Sequence, residues 1–160
     1  MKKFFIFTII FTLLLCSCSK KSVYRNDISC VYLTDTIKTE LNGDGGYAFF
    51  EDEQIKLIFE DISLANEYSV IYSLPSQNID EFGIFKTDKE GNARKLADKC
   101  REYLKVKYED ENAFIASYAP EELPKLKDAE VKVFGNYVAY AILSENDREL
   151  FFSSIKNILK

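Results

Sequence analysis

The chain reads as an α+β domain. It predicts a mainly antiparallel sheet of about four strands with two long helices on one face, in the order β-β-α-β-β-α, preceded by short helices. Three observations lead there. Short apolar runs of strand length come in two pairs, 68–74 with 81–87 and 130–134 with 137–143. A longer segment with helical spacing of apolar residues follows each pair, over 93–108 and 146–159. Gly135-Asn136 separates the second pair by two residues, which marks a tight hairpin because glycine accepts a positive φ at the first turn position.

The elements follow in order. Residues 19–26 are short and polar and read as a tether. Ile28, Val31, Leu33, Ile37 and Leu41 are spaced nearly like one helix face, with Thr34 or Asp35 as a cap. Asn42-Gly43-Asp44-Gly45-Gly46 breaks the chain; it is no phosphate loop, since no Lys-Ser/Thr follows. Residues 51–59 carry acids in the first turn and Ile55, Ile58 and Phe59 on one side, which suits a short helix. After the strands 68–74 and 81–87, Asn92 is placed to cap the long helix bearing Ala93, Leu96, Ala97, Cys100 and Leu104. Pro120 opens a short helical turn. Asn146 and Glu149 are spaced as a capping box before Leu150, Phe151, Ile155, Ile158 and Leu159.

The first eighteen residues speak about location. Lys2 and Lys3 precede an uncharged apolar run over 4–15, then Cys16-Ser17-Cys18. Charge holds the N-terminus inside, the apolar run enters the membrane, and a cysteine after a small residue takes a lipid. About 12 residues of helix span roughly 18 Å, short of a ~30 Å hydrocarbon core, so the run is a signal and not a span. Cys18 follows Leu15, Cys16 and Ser17, whereas Cys16 would follow a bulky leucine; lipidation is therefore expected at Cys18. A processed cysteine with more than one acyl chain of the palmitate type anchors stably. The expected layout is a signal over 1–17, a lipidated tether over 18–27 and one domain over 28–160.

Composition narrows the function classes. Without Lys2 and Lys3, 19 basic residues stand against 26 acidic ones, a charge near −7. No basic tract exceeds Lys20-Lys21, which argues against nucleic acid, and an acidic body leaves membrane attachment to the lipid. Histidine is absent, so no Ser-His-Asp or Cys-His device can be built, and the commonest zinc ligand is missing. No catalytic residue, metal ligand or cofactor site is expected. Cys30 and Cys100 are compatible with a disulfide outside the cytoplasm, or with Cys100 as a small core residue on its helix.

One resemblance rests on Asp80-Glu81-Phe82-Gly83-Ile84-Phe85-Lys86, Tyr118-Ala119-Pro120-Glu121-Glu122-Leu123, Ala129-Glu130-Val131 and Gly135-Asn136-Tyr137-Val138. In this order and spacing, over about 66–160, they resemble the bacterial lipoprotein family known as domain of unknown function 4358. The resemblance supports a lipoprotein leader and a domain boundary. The family has no established activity, so it implies no functional residue.

Two features remain as candidates. Glu109-Asp110-Glu111 is a carboxylate run, read as solvated rather than as a calcium site. Tyr68, Tyr72, Tyr137 and Tyr140 fall on strands; if helices cover one face only, they offer an aromatic contact surface, and otherwise they are core or lie under the 51–59 helix. The expectation is a membrane-anchored, non-catalytic binding or structural module of the cell envelope, facing outside the cytoplasm, with a protein, peptide or glycan partner. The alternative is a hydrolase using two carboxylates, which requires them to converge across a cleft.

Overall fold

Strand β3 (Glu81–Thr87) lies at the centre of a five-stranded sheet, flanked by β2 (Ala65–Ser73) and β5 (Tyr137–Ile142), with β1 (Tyr47–Phe49) beyond β2 and β4 (Glu130–Phe134) beyond β5, every neighbour antiparallel. The computed structural model describes residues 23–41, 46–59, 62–74 and 78–160. The expected signal, Cys18, the start of the tether and the glycine break at 42–45 lie outside the described residues. In chain order the elements are α1 (Cys30–Leu41), β1 (Tyr47–Phe49), α2 (Asp52–Ile58), β2 (Ala65–Ser73), β3, α3 (Glu90–Tyr118), α4 (Leu123–Lys127), β4 (Glu130–Phe134), β5 (Tyr137–Ile142) and α5 (Glu145–Ile158).

The α+β class and the β-β-α-β-β-α order hold, with two corrections. The sheet has a fifth strand, β1, whose Tyr47, Ala48 and Phe49 pair with Ser73, Tyr72 and Ile71. Three residues beside a glycine break are too few to show alternation. The long helices also do not share a face. Phe82 and Ile84 of β3 and Tyr137, Ala139 and Ala141 of β5 pack with Leu33 and Ile37 of α1 and Phe151, Phe152 and Ile155 of α5. Phe85, Val138, Tyr140 and Ile142 pack on the opposite side with Ile55 of α2, Leu96, Cys100 and Leu104 of α3 and Leu126 of α4. The reason is visible in β5, where all six residues are buried. A strand without polar alternation is covered on both faces.

Caps set the helix bounds. Ser29, not Thr34 or Asp35, starts α1: its Oγ accepts from the Tyr32 amide at 3.1 Å, and Glu67 of β2 accepts from the Cys30 amide at 2.7 Å. Helix α3 begins at Glu90, so Asn92 sits in its first turn and donates to Asp88 at 2.6 Å instead of capping. The helix runs past the expected 108 because Lys105–Glu109 at 3.6 Å and Lys107–Glu111 at 3.0 Å are i,i+4 pairs that carry it through the acidic run to buried Ile115. Ser144, two residues before Asn146, caps α5. Pro124 rather than Pro120 lies at the start of α4. Gly135, at φ +59°, turns the β4–β5 hairpin as its sequence implies.

The tether is shorter than expected. The Arg25 amide donates to the Leu159 carbonyl at 2.8 Å, and Tyr24 meets the Phe134 ring edge-on at 5.7 Å. The chain is therefore docked on the domain from Tyr24 onward. Cys30 and Cys100 are both buried and free, on opposite faces of the sheet, so no disulfide joins them.

Candidate functional site

Two places concentrate polar chemistry. The first is the N-terminal end of β3, where Asp80 and Glu81 are 6% and 5% exposed. Asp80 lies just before β3 and Glu81 is its first residue. Asp80 accepts from the Tyr47 hydroxyl at 3.2 Å and pairs with Lys125 of α4 at 2.8 Å. Lys125 also holds Glu122 at 2.8 Å, whose carboxylate accepts from the Ile79 amide at 3.0 Å. Glu81 accepts from the hydroxyls of Tyr103 at 2.6 Å and Tyr140 at 2.7 Å, and lies 3.6 Å from Lys107. Lys107 in turn holds Glu111.

Each lysine thus stands between two carboxylates. Burial draws the Lys107 and Lys125 ammonium groups down, but the facing acids outweigh it and leave both raised. Burial, reinforced by Glu81, pushes the Tyr103 and Tyr140 hydroxyls well above the usual tyrosine range. Among the described residues no buried side-chain nitrogen or oxygen lacks a partner. Such a network ties the start of β3 to α3, α4 and β5.

The second place is a groove of about 580 Å3 between α3, α4 and the start of β4. Leu104, Tyr108, Leu126 and Val131 line it, with Arg101, Lys105 and Lys127 at its rim. Arg101, Lys105 and Tyr108 follow i, i+4, i+7 and make one stripe of α3. Arg101 pairs with Asp98 at 2.7 Å and Lys105 with Glu109 at 3.6 Å, but all four side chains are more than half exposed, so these pairs are weak. Glu130, the one acid lining the groove, is engaged by Arg148 and Lys132, each at 2.9 Å. An acidic protein therefore presents a locally cationic groove with an apolar floor.

The tyrosines singled out in the sequence do not form one surface. Tyr137 and Tyr140 are wholly buried on opposite faces, which removes both as surface contacts. Tyr137 donates to the Ile28 carbonyl at 2.7 Å. Tyr68 and Tyr72 are half-buried: the Tyr68 hydroxyl donates to Asp52, and the Tyr72 ring lies 4.6 Å from Phe50. The 51–59 helix thus lies beside Tyr68, and Phe59 packs 5.7 Å from Tyr140. Among the described residues no group of three or more His, Cys, Asp or Glu side chains is arranged to hold a metal ion. None of their helices is long and apolar enough to cross a membrane.

The sequence that builds this sheet matches a known family. A family model, "Domain of unknown function (DUF4358)", matches residues 46–143. The chain belongs to this family. The DUF4358 region takes in all five strands and α2, α3 and α4, hence Asp80, Glu81 and the groove; α1 and α5, which cover the other face, lie outside it. It starts earlier and ends sooner than the resemblance over 66–160 implied. No curated protein and no solved structure matches the chain.

Sequence reasoning missed both places. Asp80 and Glu81 stand at the head of an apolar strand, and a charged pair there is a signal of buried pairing, yet their partners are 22 to 59 residues away in sequence. The groove has no local sequence pattern beyond the α3 stripe.

Proposed function

We propose that this protein is a lipid-anchored module of the cell envelope, facing outside the cytoplasm, which acts by binding a partner and not by catalysis. The observation that carries the binding reading is the groove beside β4: an apolar floor under Arg101, Lys105 and Lys127 on a chain of net charge −5. Grooves of this size, apolar with a few placed charges, suit a bound ligand or peptide. The leader over 1–17 and Cys18 supports the anchor, and the missing histidine supports the absence of catalysis.

The carboxylate-hydrolase alternative needs two acids across a cleft, ~5–10 Å apart. Asp80 is held by Lys125 and the Tyr47 hydroxyl, Glu81 by Lys107 and the hydroxyls of Tyr103 and Tyr140, and neither acid lines the groove. The anchor is tested by mass spectrometry of the mature N-terminus. Diacylglyceryl-modified Cys18 is the expected first residue; Cys18→Ala then blocks processing while Cys16→Ala does not. A mature chain starting at Cys16 or Ser19 overturns the anchor. Binding is tested by cross-linking the native lipoprotein in its own envelope, comparing wild type with Arg101→Glu/Lys105→Glu; a cross-linked product lost in the variant supports the groove.

A further inference from the structure

Strand β4 is an edge of the sheet. Phe134 and Tyr137 flank the two-residue turn and exchange ladder hydrogen bonds, as do the pairs Lys132–Ala139 and Glu130–Ala141 that follow at every second position. The intervening Val131 and Val133 therefore turn their N–H and C=O groups away from β5, toward the open side. Among the described residues nothing hydrogen-bonds to them there. The strand has no proline and its register is unbroken, so two common means of blunting an edge are missing. Beside this edge runs the α3 stripe of Arg101, Lys105 and Tyr108, closed at one end by Leu126 and Lys127.

We infer that β4 accepts an added strand from an extended acidic peptide, its backbone pairing with Val131 and Val133 and its acidic side chains toward α3 meeting Arg101, Lys105 and Lys127. This rests on the binding-module reading and names its partner class. Main-chain pairing supplies the register, and alternate side chains supply the selectivity. The sign of the lining selects the partner: three cations stand against one acid, so an acidic strand is favoured over a basic one.

The test uses the full chain in neutral detergent and a fluorescein-labelled decapeptide alternating Val and Glu, read by fluorescence anisotropy. Saturable binding is expected, weakening with salt. Binding should fall by about tenfold or more, a loss of ~1.4 kcal/mol, for a Val/Lys decapeptide and for the Val/Glu peptide N-methylated at alternate amides. The same loss is expected with Val133→Pro, which removes an outward N–H and no ladder bond, and with Arg101→Glu/Lys105→Glu. Hydrogen exchange at the Val131 and Val133 amides should slow when the Val/Glu peptide binds. Because the N-methylated peptide probes the wild-type chain, the inference stays testable even where a variant folds poorly. No binding of the Val/Glu peptide, or equal binding of its N-methylated form, overturns strand addition. If the envelope cross-link is still lost in the Arg101→Glu/Lys105→Glu variant, such a failure leaves the binding module standing. Mass spectrometry of the same preparation separates either result from a failure of lipidation at Cys18.

Discussion

The ring of Tyr140 lies against the bare α-carbon of Gly83, its cross-strand partner on β3. A Cβ at Gly83 would stand 2.5 Å from Tyr140 Cε1 and 3.0 Å from Val70 Cγ2. The ring cannot retreat, because its hydroxyl is held by Glu81 at 2.7 Å and Phe59 and Tyr103 pack around it. Glycine is thus required in mid-strand by close packing and not by backbone angle.

Gly83→Ala should destabilise the fold by about 1–3 kcal/mol through overpacking. Thermal unfolding followed by circular dichroism measures it. A melting temperature equal to that of the wild type would remove Tyr140 as the obstacle.

Alkaline pH should unfold the protein in a defined sense. Burial, then Asp80 for Tyr47 and Glu81 for Tyr103 and Tyr140, raises these hydroxyls above their ordinary value, and burial lifts Tyr137 to about 12. The folded pKa exceeds the unfolded one, so this stability is whole below about pH 10 and is lost as pH climbs beyond it. The denaturant midpoint should fall between about pH 8 and about pH 11, and Tyr103→Phe with Tyr140→Phe should lessen the fall. Equal midpoints at the two pH values would contradict the buried-hydroxyl assignment.

The acidic run at the middle of α3 is not uniform. Among the described residues Glu109 pairs with exposed Lys105 alone, whereas Glu111 helps neutralise Lys107, whose side chain is 18% exposed. Glu109→Gln with Asp110→Asn should change stability by less than about 0.5 kcal/mol. Glu111→Gln should cost more, about 0.5–1 kcal/mol, because Lys107 keeps only Glu81. Melting should not respond to calcium or chelator. A chelator-sensitive melt would bring a metal site to the front.

The cysteines should be silent in the native state. Burial pushes the Cys100 thiol up to about 12, and burial followed by Glu67 raises Cys30. Thiolate is the reactive form, so neither should react with a thiol reagent until denaturant is added. Mass should be unchanged by reductant, since the sheet separates the two. Rapid native labelling of either cysteine would show that its cover opens.

Local pattern was sufficient for much of this molecule. The bounds of β3 and β4 and the β4–β5 hairpin follow from strand-length apolar runs and from Gly135, all features that a few consecutive residues carry. The α+β order follows from the same runs and from helical spacing. Even the double-sided burial was legible in the unbroken apolar β5, though counting two long helices suggested one face. Helix caps differ from the sequence expectation by two to six residues: Ser29 and Ser144 compete with equally plausible caps nearby, and α3 starts after Lys89 without a side-chain cap.

Sequence by itself determined the type and order of the elements other than β1, and the absence of histidine, because these depend on residue identity and short spacing. Only the tertiary structure decided that Asp80 and Glu81 meet Lys125 and Lys107, that Tyr140 excludes a side chain at Gly83, that Cys30 and Cys100 are kept apart, and that β4 is left as an edge. Each joins or separates residues far apart along the chain. Such pairings depend on strand order and on which face each helix covers. Those are properties of the whole packing, since a strand of either face has the same period of two.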